Sequence, residues 1–433
     1  MIQLRRPVLK FSATYRGDQM PGQAPVKPPV VFLFGSGISH KANLPLAGDI
    51  TPFVLSGAGV FKHTDGRYLF GTPPLLDIDR TDDFLRRILL FLQLIKAEAD
   101  MYYFLDKQVN YEDLYFIANQ VFGCLSWDED NPVAKRFADY LGERLNHVLA
   151  SDYYAKALGE RNEPPSRPIR FTDRLASLCQ LAGESCSYIR DVACGKIGVR
   201  PAALDYLGWL VEAVEDKASG QKLFFTLNYD TLLEQFFRRA RVRLVDGFGS
   251  PVESEGVSYF DAGLFADREH PHVLKLHGSL DWFLNRRASP AEQEPLRLLR
   301  PTVPELAAKN FDLAVAPLIL VGTHNKPAYY TKPLFEDQHW RFKEALSEAD
   351  RLVICGYSFG DKAINSRLLY WLDQSRERRV LLIHHDPEAC RKHARPLFAQ
   401  TWENHVKRGQ WKVIAKKMEA VSWSEVKAAA VGF

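Results

Sequence analysis

The chain has 433 residues, of which 46% are hydrophobic and 25% are charged, and its formal net charge is +3. This length predicts two or three domains, or one large domain with an insertion, and the composition is that of an ordinary globular protein. The small net charge gives no strong signal for direct nucleic-acid binding.

Targeting and metal-binding signals are also missing from the sequence. The first twenty residues contain no apolar run of the kind that a signal peptide has, and the longest apolar stretch, residues 88–95, is about half as long as a membrane-spanning helix must be. The six cysteines are scattered, and no two have the C-x-x-C spacing of a structural zinc site. We therefore expect a cytoplasmic protein with no membrane association, no structural zinc and no other metal site.

Residues 1–29 are predicted to form an irregular extension, because residues 17–29 are rich in Pro and Gly. After them, short apolar runs recur along the chain. The runs begin at Val30, Lys222, His272, Ala316, Arg351 and Arg379. Runs that are continuously apolar, rather than alternating, are typical of parallel strands buried on both faces. Because helical patterns follow several of them, the sequence predicts the α/β class, with a Rossmann-like, doubly wound, mainly parallel sheet.

Residues 77–220 have a different character, with apolar residues at helical spacing and few convincing strands. This pattern predicts a large helical insertion domain, divided near Asn162–Pro168, within a Rossmann-type domain made of residues 30–76 and 221–433. A Pro- and Arg-rich segment that starts at Arg286 is predicted to form a long surface loop. The short segment after about residue 390 could finish the sheet.

The first polar motif, FLFGSGISHKANLP, places Gly35 and Gly37 directly after a predicted strand, beside Ser36 and Ser39. Open α/β sheets bind ligands outside the carboxyl ends of their strands, and glycines there let backbone amides approach a diphosphate. However, His40 replaces the third glycine of the G-x-G-x-x-G pattern. A simple strand-to-helix turn therefore fits this motif equally well.

The second motif, KLFFTLNYDTLLEQF, ends an apolar strand on Asn228 and Asp230. One interpretation is a helix start, because Thr231 and Glu234 fit a capping box and Asp230 could itself be the N-cap. Capping does not account for Asn228. The other interpretation is that the amide and the carboxylate both face a ligand that lies across the edge of the sheet.

Polar residues also follow three further predicted strands, where they could take part in catalysis or ligand binding, or simply form turns. In VLKLHGSLDWF, His277 could be a structural residue or a general base, since imidazole titrates near neutral pH. In VICGYSFGDKAIN, the turn that contains Ser358 and Asp361 could hold phosphate or ribose, or be a plain turn. In LLIHHDPEA, Asp386 could accept hydrogen bonds from ribose hydroxyls.

Together, GSGIS, T-x-N-Y-D, LHG and GYSFGD, in that order, resemble the motifs of the sirtuin family over most of residues 30–76 and 221–390. The resemblance implies that NAD is bound and that Asn228, Asp230 and His277 are catalytic, with His277 as the base. It implies that the diphosphate is held by Gly35, Ser36, Gly37 and Ser39. The set of candidate NAD-binding residues is completed by Thr226, Gly356, Tyr357, Ser358, Asp361 and Asp386.

Two differences from the sirtuin pattern indicate that the chain resembles one branch of the family more than the protein-deacylating members. Leu227 stands where protein-deacylating sirtuins usually have Gln, and the four-cysteine zinc ribbon that those members carry after the catalytic His is missing. The chain is more similar to bacterial sirtuin-like effectors of antiphage defence, which have T-x-N-Y-D, L-H-G-S and a helical insert. The segment NYEDLYF, Asn110–Phe116, also resembles that branch.

The narrower resemblance implies an NAD glycohydrolase that cleaves NAD, as its substrate, to nicotinamide and ADP-ribose and depletes NAD during antiphage defence. It also implies a homo-oligomer and a separately encoded DNA-translocase ATPase of the HerA family as partner. Two alternatives remain open from the sequence. One is a zinc-free ADP-ribosyltransferase or deacylase, and the other is a non-catalytic sensor subunit that binds NAD or ADP-ribose.

Overall fold

The computed structural model describes residues 27–72, 78–103, 108–126, 131–145, 171–285, 297–322, 326, 330 and 332–431. The strands, in chain order, are β1 (Val30–Phe34), β2 (Val60–Lys62), β3 (Tyr68–Phe70), β4 (Lys222–Thr226), β5 (Val257–Tyr259), β6 (His272–Lys275), β7 (Phe283–Leu284), β8 (Leu298–Pro301), β9 (Arg351–Cys355), β10 (Arg379–Ile383) and β11 (Trp411–Ile414).

The α-helices are α1 (Ala47–Ser56), α2 (Ile78–Tyr103), α3 (Tyr111–Leu125), α4 (132–145), α5 (Phe171–Ile197), α6 (Gly208–Glu215), α7 (Leu232–Arg239), α8 (Pro304–Asn310), α9 (Pro333–Glu348), α10 (Lys362–Gln374), α11 (Pro387–His393), α12 (Pro396–Lys407) and α13 (Trp423–Val431). Within the ranges given above, no helix combines the length and the apolar character needed to cross a membrane.

Six strands form one parallel sheet in the order β11-β10-β9-β1-β4-β6. The chain moves outward from β1 through β4 to β6, returns to β9 beside β1, and then moves outward on the other side through β10 to β11. This topology confirms the predicted α/β class with a doubly wound parallel sheet, and the carboxyl-terminal segment does supply its last strand. The direction of winding changes between β1 and β9, where sheets of this type open a crevice for ligands.

The continuous apolar runs form strands because both faces of the sheet are covered. In β1, Val31 and Leu33 pack into the core on one face, while Phe32 and Phe34 pack into the core on the other. All four side chains are completely buried. Since successive side chains of a strand point to opposite faces, a strand covered on both sides has no position at which a polar residue would be exposed to water.

The helical region predicted between the two parts of the sheet is present, and it has a hydrophobic core of its own. This core is built mainly from α1 to α5 and contains fully buried residues such as Ile88, Leu114 and Tyr188. The β2–β3 hairpin joins the same core through Val60 and Tyr68. By contrast, α6 packs on the sheet. The exact division of the chain into domains stays a prediction.

Two local predictions are wrong. The apolar segment that begins at Ala316 is irregular rather than a strand, and it makes an isolated antiparallel bridge from Ile319 to Gly278. Its apolar side chains are buried on different sides, with Leu320 in one cluster and Val321 in the core of the helical region. The apolar side chains of this segment are therefore buried because the segment covers the end of β6, and not because it adds a strand to the sheet.

The predicted loop that begins at Arg286 is partly regular structure. Its second half forms β8 and α8, and β8 lies between β5 and β7 in a small antiparallel sheet. Its first half, residues 286–296, lies outside the described residues, as do the predicted break at Asn162–Pro168 and residues 1–26 of the predicted extension. The pairing of β8 is non-local, so no pattern within the segment indicated it.

Candidate functional site

Asn228 and Asp230 follow β4 and are joined to the loop after β1 by a buried hydrogen-bond network. The Asn228 amide nitrogen donates to the Gly35 carbonyl, at 3.2 Å, and to Ser39 Oγ, at 3.1 Å. Ser39 Oγ in turn donates to Asp230 Oδ2, at 2.8 Å. Because both amide protons of Asn228 are used within the protein, Oδ1 is the atom of this side chain that remains to accept a hydrogen bond from a ligand.

Asp230 also stabilises the start of α7. Its Oδ1 accepts from the Leu232 amide, at 3.0 Å, while Thr231, the N-cap residue, makes no side-chain capping bond. The capping box of Thr231 and Glu234 is therefore not formed. One oxygen of Asp230 therefore accepts at the helix start and the other accepts from Ser39. The prediction that this carboxylate faces a ligand stays a prediction.

The glycine-rich loop after β1 packs directly against the loop after β9. The Gly35 amide donates to the Cys355 carbonyl, at 3.1 Å, and the Gly37 amide donates to the Gly356 carbonyl, at 2.9 Å. A Cβ atom on Gly35 would lie 2.6 Å from the Gly356 carbonyl oxygen. These two glycines thus allow the loops to touch, and their amides bond to protein rather than facing outward to a diphosphate.

The other predicted NAD-binding residues lie at the same edge of the sheet in different environments. Ser36 and Ser358 are exposed on the two loops that touch each other. Thr226 is buried, and its hydroxyl accepts a hydrogen bond from the backbone N–H of Asn228, at 3.1 Å. Tyr357 is buried, while Asp386, at the far end of β10, accepts from the amide of residue 389 at the start of α11. The sheet therefore places all these residues on one rim, where Ser36, Ser358 and Asp386 are exposed.

His277 lies two residues beyond β6, in a buried group with Tyr330 and Asp361. Its Nε2 atom lies 2.9 Å from Tyr330 Oη and 3.1 Å from Asp361 Oδ2, and the Tyr330 hydroxyl donates to Asp361 Oδ2, at 2.7 Å. The exposed fraction of the side chain is 3% for His277 and 7% for Asp361. The loops after β6 and β9 and the segment that contains Tyr330 are needed together to form this group.

Burial, hydrogen bonds and nearby charges together set the charge state of these residues. Removal from water lowers the pKa of His277, and although the Asp361 carboxylate opposes this effect, the imidazole is neutral at neutral pH. Burial alone would raise the pKa of Asp361, but the hydrogen bond with His277 and the nearby charges outweigh it and hold that pKa well below its usual range. The pair is thus a neutral imidazole beside an ionised carboxylate. Burial also raises the pKa of Tyr330, so its hydroxyl stays protonated.

The irregular segment that begins at Ala316 covers the end of β6. The Leu318 carbonyl accepts from the Ser279 amide, at 3.1 Å, and the Leu320 amide donates to the His277 carbonyl, at 2.9 Å. Under this cover, the exposed fraction of the whole residue is 2% for His277, 7% for Asn228 and 8% for Asp230. The three predicted catalytic residues are therefore almost completely buried in this conformation.

The helical region reaches this part of the molecule through Glu112, in the first turn of α3. Both carboxylate oxygens of Glu112 accept from Lys326 Nζ, at 3.0 Å, and one lies 3.3 Å from the hydroxyl of Tyr229. Lys326 is 7% exposed. The segment that contains Glu112 has a recognisable sequence pattern. Lys326 and Tyr330 lie in no such pattern and gain their contacts only through folding.

Metal ligands are not clustered in the part of the chain that the structure describes. There, no group of three or more His, Cys, Asp or Glu side chains is arranged to hold a metal ion. All six cysteines are free thiols.

Comparison with known proteins finds a family match in the carboxyl-terminal half of the chain. Residues 222–406 match the family described as SIR2-like domain. The match includes the loops that carry Asn228, His277 and Asp361, and it begins after the Gly35–Ser39 loop. This part of the chain is therefore similar to SIR2-like domains.

Among solved structures, the chain is similar to a triple mutant of a Sir2 homologue in complex with 2'-O-acetyl-ADP-ribose. The two are 13% identical, the alignment covers 94% of this chain and 93% of that chain, and the TM-score is 0.31. The comparison with curated proteins gives no match.

A first prediction concerns the contact between the two glycine loops. Gly356 has a φ of +68°, and a Cβ there would lie 2.5 Å from the Ile38 amide nitrogen. We expect Gly356→Ala to lower the free energy of unfolding by at least about 1 kcal/mol, because of backbone strain and this clash. Gly48→Ala is the matched control, since a Cβ in that helix meets nothing within 4 Å. Urea denaturation measures both, and equal stability of the two variants would contradict the prediction.

A second prediction concerns the ion pair between Glu112 and Lys326. We expect a double-mutant cycle of Glu112→Gln and Lys326→Met to give a coupling free energy of about 1 kcal/mol or more, because the lysine is buried and either single change leaves its partner without an opposite charge. The matched control is the exposed pair of Arg408 and Asp373, for which we expect close to zero. Additive effects at both pairs would contradict the prediction.

Proposed function

We propose that the protein is an NAD glycohydrolase that cleaves NAD to nicotinamide and ADP-ribose. The observation that carries the proposal is the placement of Asn228, Asp230 and His277 at the carboxyl ends of neighbouring strands β4 and β6, in buried hydrogen-bond networks. These side chains offer an acceptor, a carboxylate and a neutral base at the ends of adjacent strands. The SIR2-like match over residues 222–406 supports NAD as the substrate.

The width of the polar rim supports a dinucleotide rather than a smaller ligand. Polar loops follow β10, β9, β1, β4 and β6, which are successive neighbours in the sheet. Four interstrand spacings of about 4.8 Å make this rim roughly 19 Å wide. In the proposed complex the adenosine end lies toward Asp386, the diphosphate lies at the exposed hydroxyls of Ser36 and Ser358, and the nicotinamide end lies toward Asn228 and His277.

The chemistry requires little from the protein except positioning and charge. The nicotinamide of NAD is cationic while it is attached and leaves as a neutral molecule, so no acid is needed to protonate it. Catalysis then consists of holding the ribose, stabilising an oxocarbenium-like state and admitting one water molecule. A buried site suits this task because electrostatic interactions are stronger away from bulk water.

Each predicted catalytic residue has one role in this scheme. Asn228 Oδ1 accepts a hydrogen bond from the attacking water or from a ribose hydroxyl. Asp230, fixed by Ser39 and by the start of α7, orients the nicotinamide end. His277 takes the proton that the water loses as its oxygen bonds to the anomeric carbon and the bond to nicotinamide breaks. The electron pair of that bond stays on the nicotinamide nitrogen.

The biological role that we propose, from the resemblance to antiphage effectors, is depletion of NAD in a bacterial defence system. Uncontrolled hydrolysis of NAD would kill the cell, and the near-complete burial of Asn228, Asp230 and His277 supports an enzyme whose site must be opened before turnover. We propose that homo-oligomerisation, or a separately encoded ATPase of the HerA family, provides this control.

Two alternatives use the same site. In ADP-ribosyl transfer or zinc-free deacylation, an acceptor or an acyl-lysine would take the place of water. In a non-catalytic sensor, NAD or ADP-ribose would bind without turnover. A neutral buried His277 held by a carboxylate favours an enzyme over a sensor, since binding alone needs no base.

The test is to incubate the purified protein with NAD, alone and with the candidate ATPase, and to separate the products by chromatography. We expect equal amounts of nicotinamide and ADP-ribose, and a loss of activity of at least about 100-fold in His277→Ala and in Asn228→Ala. His393→Ala is the matched control, because that histidine is exposed on α11. NAD that binds but stays intact under all conditions would favour the sensor, and a modified protein acceptor would favour transfer.

The pH dependence gives a further prediction. A base must be unprotonated, and the pKa of His277 lies below the ordinary value of 6.5 because burial outweighs the attraction of Asp361. We therefore expect the midpoint of the decline in kcat/KM on the acid side to lie below pH 6.5. Lys326 acts in the same direction as burial, whereas Glu112 acts with Asp361. A decline that is centred above pH 6.5 would contradict this assignment.

A further inference from the structure

Asp361 uses its two carboxylate oxygens for different purposes. Oδ1 accepts from the amides of Ala363 and Ile364, at 2.8 and 3.0 Å, and so caps the amino terminus of α10. Oδ2 lies 3.1 Å from His277 Nε2 and accepts from the hydroxyl of Tyr330, at 2.7 Å. Capping requires one oxygen only, and the second is held in a buried group with the proposed catalytic base.

We propose that Asp361 is the positioning residue for His277 and that it holds the imidazole with the proton on Nε2, so that Nδ1 is the atom that accepts a proton during NAD cleavage. This inference rests on the proposed function. It gives Asp361 a different role from the one that the sequence indicated, in which this side chain was a candidate ligand for NAD itself.

The hydrogen bonds determine the position of the proton. Both polar contacts of the ring are made by Nε2, to Tyr330 Oη and to Asp361 Oδ2. An ionised carboxylate can only accept, and the single hydroxyl proton of Tyr330 is already donated to Asp361. A favourable contact between Nε2 and either neighbour therefore requires that Nε2 carries the proton. A neutral imidazole then has its lone pair on Nδ1.

Tyr330 completes the group by fixing the carboxylate. Its ring stacks on that of His277, with an angle of 17° between the planes, and it lies 3.7 Å, centroid to centroid, from the ring of His339. Arg367 donates to His339 Nδ1, at 2.7 Å. The charged groups near His277 are therefore Asp361, which contacts the ring, Arg367, which contacts His339, and the ion pair of Lys326 and Glu112. Of these charged groups, all among the described residues, Asp361 is the one that forms an ion-pair contact with the ring of His277.

The capping bonds make Asp361→Asn an informative variant. Asn is as good an N-cap residue as Asp, and the two amides of α10 require an oxygen at the capping position. The NH₂ group of the new side chain must therefore replace Oδ2, where it is a donor instead of an acceptor. A neutral His277 would then have to accept at Nε2, which moves its proton to Nδ1 and removes the base.

The first experiment observes the imidazole directly and does not depend on catalysis. The full chain is labelled with ¹⁵N-histidine, the signal of His277 is assigned by its loss in His277→Gln, and the ring nitrogens are recorded by NMR at neutral pH. We expect protonated Nε2 and unprotonated Nδ1 in the wild type, and the reverse in Asp361→Asn. Unchanged ring signals in the variant, or protonated Nδ1 in the wild type, would overturn the proposal.

The second experiment measures nicotinamide release. We expect kcat of Asp361→Asn to fall at least about 100-fold, the scale of general-base catalysis, while KM changes less than about threefold. If Asp361 only capped α10, kcat would be unchanged. If Asp361 contacted NAD, KM would rise instead. Either of these results would overturn the proposal.

Tyr330→Phe serves as the second variant, because it leaves both the cap and the carboxylate in place. We expect it to keep the proton on Nε2 and to lose less activity than Asp361→Asn, and a reversed order would contradict the proposal. It also covers the case in which Asp361→Asn fails to fold, since the wild-type spectrum and this variant still report the proton on Nε2. Absence of NAD cleavage by the wild type would refute the proposed function, while the NMR result would still decide the role of Asp361.

Discussion

The parallel direction of the six strands is the constraint on which the rest of the molecule depends. Because every strand of the main sheet runs the same way, each loop that follows a strand emerges at the same edge. Residues that are far apart in the chain, such as Gly35, Asn228 and His277, are brought to one rim by this arrangement alone. The crossover between β1 and β9 then places the two glycine loops side by side, and their close contact depends on the absence of side chains at Gly35, Gly37 and Gly356.

Burial of the polar residues at this rim has a cost that their mutual hydrogen bonds offset. An amide or a carboxylate that is removed from water without a partner is strongly destabilising, so a buried polar group must be satisfied within the protein. Most of the polar atoms of Asn228, Ser39 and Asp230, and of the group of His277, Tyr330 and Asp361, find such partners in one another. The same bonds fix the orientation of these side chains, as the proposed catalysis requires.

The helical region is connected to the sheet at the point where the proposed reaction occurs. Glu112 lies in the first turn of α3, where Asn110 caps the helix, and it contacts both Lys326 and Tyr229. Tyr229 also bonds to the Leu320 carbonyl, in the segment that covers His277. A displacement of α3 would therefore disturb this cover directly. This connection gives the helical region a physical route by which an oligomer contact or a partner protein could influence the site.

The sequence by itself determined the α/β class, the approximate position of five of the six sheet strands and the polar residues that follow them, because an apolar run that is buried on both faces has a local signature. It also identified Asp361 as a residue of interest, but it assigned this residue to the substrate. Only the tertiary structure brought Asp361, Tyr330 and His277 together, since they come from separate loops. It also converted the apolar segment after Ala316 from an expected strand into the cover of β6. Local patterns specify which residues are apolar or polar, whereas the contacts between distant segments arise only when the whole chain packs.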